Sequence, residues 1–192
     1  SSGLRSLFGV AAFLNFLLVP IMVLLPFFVE DFLHATPDWF GYMMAGFGVG
    51  AMIGYVAAGA VKLSGRPRAA VVISALIAMS ALFMSIGFAT GPKVALVLFV
   101  ALGLTNGLVN INIATVIQIT TPSEIRGRVM GLLGTLAGGL TPIAMGLSGI
   151  VADLVNQNIP LIIIVCGAAS TALSIGIAFN RHFRQFLAYE PP

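Results

Sequence analysis

Apolar residues in this chain neither alternate with polar ones nor form narrow amphipathic stripes. They fill long runs free of charge: Ser6 to Val29, Trp39 to Val61, Ala69 to Pro92, Val94 to Ser123, Val129 to Ala152 and Leu154 to Asn180. Each run is about 23 residues or longer, and a helix that crosses bilayer hydrocarbon needs about 20. A backbone in hydrocarbon must satisfy its own polar groups, which a helix does within one segment. Strands of a membrane barrel would alternate apolar and polar residues, and these runs do not. The pattern predicts an all-α integral membrane fold, one bundle of six transmembrane helices spanning about 7–29, 39–61, 69–89, 94–119, 129–151 and 159–179.

Proline supports these boundaries, because its missing N–H costs nothing in the first turn of a helix. Pro37, Pro67, Pro92, Pro122 and Pro160 fall at the heads of spans two to six. Thr121 and Glu124 have the spacing of a capping box at the start of span five. Pro20, Pro26 and Pro142 fall inside spans one and five, where they predict kinks. The first run is too long for a cleaved signal peptide and lacks a small-residue cleavage motif. The opening Ser1-Ser2-Gly3, without methionine, reads as a fragment or a processed chain.

Composition agrees with the pattern. Charged residues make up 8% of the 192 and hydrophobic residues 59%, where soluble domains carry about 25% charge. Mean hydropathy is +1.08. That excludes a soluble enzyme and a disordered chain. Net charge is only +3, too small and too scattered for a nucleic-acid-binding face. The single Cys166 excludes a disulfide framework and a cysteine-based metal site.

The positions of the charges say more than their number. Six spans put Arg5, Lys62, Arg66, Arg68, Arg126, Arg128, Arg181 and Arg184 on one side and only Lys93 on the other. The positive-inside rule then predicts both termini in the cytoplasm of a multi-pass protein of the plasma (inner) membrane. Glu30, Asp31, Asp38 and Asp153 fall on the outer side, where Trp39 and Tyr42 form an expected interfacial anchor.

Spans two and five share a small-residue texture. Gly46, Gly50 and Gly54 recur every fourth residue in span two, and Gly127 with Gly131 and Gly134 with Gly138 do so in span five. Such rows let helix backbones approach closely. They serve as plain helix packing, or as smooth faces on which helices slide. The three-span offset also predicts two three-helix repeats of opposite topology, an arrangement seen in secondary transporters.

No ionisable side chain lies within the six spans, so polar chemistry falls to amides and hydroxyls. Asn15 is at midplane depth in span one. Asn106 and Asn110 are at the same depth in span four, on one helix face. Thr105 and Asn112 make a second polar stripe on that span. An amide in hydrocarbon must face protein or a wet cavity. These residues therefore either hydrogen-bond across helices or contact a substrate. Enzymatic readings fail: the spans contain no histidine, no paired carboxylates, no H-E-x-x-H motif and no Walker-type loop. No catalytic residue, metal ligand or cofactor is indicated.

The segment Gln118-Ile-Thr-Thr-Pro122-Ser-Glu124-Ile-Arg126-Gly127-Arg128-Val-Met-Gly131 resembles the loop between the tenth and eleventh helices of major facilitator superfamily transporters. Asn15, Pro20, the Leu-Leu-Pro26-Phe-Phe-Val run, Phe40-Gly41 and the Gly46-to-Gly54 row resemble helices seven and eight of its macrolide-efflux and enterobactin-export branch. The resemblance implies the C-terminal six-helix half of a transporter about twice as long. It also implies that spans one and four line a central cavity, where Asn15, Asn106 and Asn110 would meet a small-molecule substrate, and that proton-driven export takes its acidic group mainly from the other half. The stretch Gly59-Ala-Val-Lys62-Leu-Ser-Gly65-Arg66-Pro67-Arg68 stands where the family's Gly-x-x-x-Asp-Arg-x-Gly-Arg-Arg motif would recur, with Lys62 in place of Asp and Pro67 in place of a basic residue. Arg66 and Arg68 then serve a gating loop or simply hold topology. Arg126-Gly127-Arg128 matches better, and its arginines either pair with helix termini or with acidic groups on a partner half, stabilising the outward-open state, or simply hold topology. The partners implied are the lipid bilayer and a second six-helix half, either the N-terminal one or a copy of this chain. A different class remains open: a six-helix structural or assembly subunit of a larger membrane complex, without transport activity of its own.

Overall fold

The computed structural model describes residues 2–61 and 63–189, with the side chains of residues 2–6 and 137 left out. Lys62 and the Arg5 side chain thus lie outside the described residues. The helices are α1 (Ser2–Phe27), α2 (Asp38–Ala60), α3 (Gly65–Ile86), α4 (Pro92–Thr120), α5 (Ser123–Gly139), α6 (Thr141–Leu154), α7 (Ile159–Ala178) and α8 (Arg181–Leu187). No strand occurs among the described residues. Six segments are long and apolar enough to cross a membrane: Leu7–Phe32, Asp38–Ala60, Gly65–Ile86, Pro92–Thr120, Ser123–Leu154 and Ile159–Ala178. Most overrun the charge-free runs, so Glu30, Asp31, Arg66, Arg68, Glu124 and Arg126 sit on helical turns at span ends.

The prolines explain the irregularities. Pro26 has no N–H for the Met22 carbonyl, and α1 passes directly into a wider π turn over Phe28–Phe32, closed by Leu33 N–H to the Phe28 carbonyl at 3.0 Å. Pro142 likewise cannot bond the Gly138 carbonyl. The expected kink in span five is a break, with α5 ending at Gly139 and α6 starting at Thr141. Pro92 and Pro160 occupy first turns, and Pro37 and Pro122 precede Asp38 and Ser123.

The capping box does not form. Thr121 ends α4 in extended conformation and Pro122 takes the N-cap position, which shifts the register by one residue. The Thr121 hydroxyl is buried without a partner, and Ser123 Oγ lies 3.0 Å from Glu124 Oε1.

Helix packing has the pattern of two exchangeable three-span units. The closest pair is α2 with α4, and its exchanged counterpart is the fifth span (α5 and α6) with α1. The pair α3 with α4 corresponds to α7 with α1, while α3 with α7 corresponds to itself. This is the all-α six-helix architecture with inverted repeats expected from the sequence.

Span two meets span four through interlocked glycines. A Cβ on Gly50 would collide with the Val100 carbonyl and stand 2.9 Å from Leu104 N, and one on Gly103 would collide with the Phe47 carbonyl. Gly54 and Gly107 are closed by the Leu104 and Ala51 carbonyls, and Gly46 by the Leu96 side chain at 2.7 Å. Gly127, Gly131, Gly134 and Gly138 have nothing within 4 Å. The small residues that span five buries are Ala144, Ser148 and Ala152 on α6, beyond the break that separates α6 from α5.

The short α8 was not anticipated. Its signals are Asn180, whose Oδ1 accepts from His182 N and Phe183 N at 3.0 and 3.2 Å, and the buried trio Phe183, Phe186 and Leu187 on one face.

Candidate functional site

The structure brings Asn15, Asn106 and Asn110 to one open cavity of about 190 Å³ between α1, α3 and α4, with Leu133 of α5 and Phe183 of α8 at its edge. The rest of its wall is apolar, including Leu14, Met79, Val109 and Ile113. Asn15 follows Leu14 on α1, whose inward residues Leu7, Leu14 and Ile21 recur every seventh position, continued by Phe28 in the π turn, and fix that helix against the core. This register puts Asn15 at the margin of the buried face, half-buried.

The hydrogen bonding of the three amides bears on their role. Asn15 Oδ1 is buried and has no partner, a state that costs about 1–3 kcal/mol. Asn110 Nδ2 donates to Asn106 Oδ1 at 2.9 Å and to the Asn106 carbonyl at 3.0 Å, both within α4. Asn106 Nδ2 points at Met79 Sδ from 4.0 Å, at the far limit of a weak acceptor. Asn106 is half-buried and Asn110 exposed. The three amides therefore hold no neighbouring helix by a strong bond. The Asn106 and Asn110 amides bond chiefly within α4, and the Asn15 oxygen is enclosed without a partner.

The second polar stripe on α4 turns away from this role. Thr105 Oγ1 donates to the Leu102 carbonyl at 2.9 Å and Asn112 Nδ2 to the Leu108 carbonyl at 2.8 Å, so both are satisfied by their own helix. A buried hydroxyl pair links two spans, Ser80 Oγ of α3 and Ser174 Oγ of α7, at 3.0 Å. Sequence reasoning passed over it, because a serine in an apolar run gives no sign of which face it occupies.

The basic residues assigned to loops lie on helices. Arg126 and Arg128 are in the first turns of α5, where Arg126 Nη2 donates to the Gln118 carbonyl at 2.8 Å and to the Thr121 carbonyl at 3.4 Å. A guanidinium at the C-terminal end of α4 meets the negative pole of that helix and its unpaired carbonyls. Gly127 and Arg128 are exposed. Arg66 is exposed on the first turn of α3. Arg68, two residues on, is 3% exposed. Its Nε donates to the Leu187 carbonyl at 3.0 Å and its Nη2 to the Tyr189 carbonyl, so it clamps the end of α8. Trp39 and Tyr42 stand edge to face, with ring centroids 5.6 Å apart.

Two comparisons bear on this arrangement. The family model described as Major Facilitator Superfamily matches residues 3–145, a stretch that contains all three amides and both small-residue rows. The multidrug efflux pump Tap of Mycolicibacterium fortuitum is 29% identical over 131 residues, which is 68% of this chain and 31% of that pump. The matched region thus spans about a third of this relative's length.

Proposed function

This chain belongs to the major facilitator superfamily, and from that premise we propose that it forms one wall of a drug-efflux-type secondary transporter. In this reading it is the C-terminal six-helix half, and Asn15, Asn106 and Asn110 hydrogen-bond an amphipathic small molecule at mid-membrane. The observation that carries the reading is the cavity: three amides of two different spans on an apolar wall, one with a buried oxygen that lacks a partner. A site of this kind takes an apolar ligand by contact area and orients it by a few polar groups. Similarity to a multidrug efflux pump supports outward transport. The resemblance to macrolide and enterobactin exporters is the finer placement within the same proposal.

Rocking of this half against a second one alternates access to the site. Arg126, bonded to the end of α4, couples α5 to the helix that carries two of the amides. The distribution of arginines and lysines supports a cytoplasmic position for both termini in the plasma membrane. With no carboxylate at cavity depth in these spans, a coupling proton is carried mainly by the partner half.

The test is efflux of a panel of amphipathic dyes, ethidium among them, from cells producing the full-length protein. Asn106→Ala and Asn110→Ala are expected to lower efflux of some compounds by about three- to tenfold and to spare others, at unchanged amounts of folded protein. Equal loss for every compound, tracking loss of folded protein, would refute the substrate role.

A further inference from the structure

A second concavity lies apart from the amide cavity. It is an open groove of about 650 Å³ between the start of α3 and the end of α7 with α8. Three arginines line it, Arg66 of α3 and Arg181 and Arg184 of α8. Its floor is apolar, with Ala70, Ile73 and Ile77 spaced along one face of α3. All three arginines are exposed, and none of their side chains makes a hydrogen bond or ion pair among the described residues.

The placement of these charges is built in. Buried Arg68 holds the Leu187 and Tyr189 carbonyls, and the Asn180 cap fixes the other end of α8. Phe183, Phe186 and Leu187 seat the helix on the bundle. Arg181 and Arg184 are thereby held beside Arg66 rather than carried on a free tail. Three like charges at one edge repel one another, and the arrangement gains most from an anion placed among them.

We infer that this groove binds an anionic phospholipid of the adjoining leaflet. Its phosphate would sit among Arg66, Arg181 and Arg184, and an acyl chain would lie along Ala70, Ile73 and Ile77. The charge cluster selects an anion, since arginine forks match phosphate oxygens and basic pockets beside transmembrane helices bind anionic headgroups. The apolar floor selects an amphiphile whose tail enters the membrane from that edge. A zwitterionic lipid brings an ammonium group into the same cluster and is disfavoured. The inference is independent of the transport reading, because it uses none of the cavity residues.

Native mass spectrometry of the purified full-length protein, incubated with phosphatidylglycerol or phosphatidylcholine, reads the outcome. Phosphatidylglycerol is expected to be retained preferentially. Replacement of one arginine (Arg66→Gln) is expected to lower that preference by about fivefold, and Arg66→Gln with Arg181→Gln and Arg184→Gln by roughly a hundredfold. The three side chains make no internal bonds, so the triple variant is expected to keep the parent's thermal midpoint. Lys93→Gln, on the far side of the membrane, is expected to leave the preference unchanged. Three results would overturn the inference: equal retention of the two lipids, unchanged preference in the triple variant, or displacement by inorganic phosphate as readily as by phosphatidylglycerol. The last would mean that the apolar floor plays no part.

Discussion

The pair α2–α4 and the pair formed by span five with α1 exchange under the repeat symmetry, yet their packing differs. In the first, Gly50 and Gly54 face Gly103 and Gly107 so closely that a single methyl group would strike a backbone carbonyl. In the second, the glycine row of α5 meets nothing within 4 Å, and contact with α1 falls largely to α6, which buries Ala144, Ser148 and Ala152. Span five is also the least buried of the six. One helix pair is thus locked by backbone contact, while its counterpart contains a span broken at Leu140 and leaves an open face. A rigid pair beside a looser one suits a bundle in which one element moves against another.

The largest test of this contrast is a matched pair of substitutions. Gly50→Ala is expected to destabilise the protein by about 3 kcal/mol, since the added methyl meets main chain that cannot move without separating the helices. Gly134→Ala is expected to be neutral in this chain, or to stabilise by up to about 1 kcal/mol through helix propensity. Thermal unfolding in lipid nanodiscs measures both. A loss at Gly134 equal to that at Gly50 would break the contrast, because the α5 row would then be packed as tightly as the α2 row.

A second effect concerns the clamp between α3 and α8. Arg68→Ala removes a charged donor from two carbonyls in a buried place, at about 1.5–3 kcal/mol. Trypsin is expected to cut at Arg181 and Arg184 several times faster, while the α2–α4 pair keeps its resistance. Unchanged cleavage would show that the apolar face of α8 suffices to hold it.

The smallest effects separate bonds between helices from bonds within one. Ser80→Ala breaks the link to Ser174 and is expected to cost about 0.6 kcal/mol, typical of interhelical bonds in membranes. Thr105→Val, whose hydroxyl serves only its own helix, is expected to cost less than that. The reverse order in unfolding midpoints would contradict the assignment.

Much of this architecture was legible in the chain. Charge-free runs disclosed six spans because the bilayer imposes one length on every crossing helix, and the four-residue spacing of Asn106 and Asn110 placed both on one face of α4, where they line a cavity together with Asn15. What stayed hidden depends on partners. The texture of Gly131, Gly134 and Gly138 shows that close approach is possible there, but not whether another helix stands opposite. Pro142 marks a disturbed turn without telling a kink from a break. Arg68 is two residues from exposed Arg66, and only the docking of α8 reveals that one faces inward and the other outward. The Thr121 capping box failed because Pro122 took the position that the pattern had given to threonine.

The central claim is that the amides line a binding cavity rather than hold the bundle together, and Asn15 tests it most directly. Its Oδ1 is buried without a partner, so Asn15→Leu removes an unsatisfied acceptor while keeping the number and branching of side-chain heavy atoms. Thermal midpoint and dye efflux, measured on the same full-length preparation, give the answer. The midpoint is expected to rise, by the equivalent of about 1 kcal/mol, while efflux per folded molecule falls for at least one compound. A lowered midpoint with efflux per folded molecule intact would make Asn15 a structural hydrogen-bonder and contradict the account.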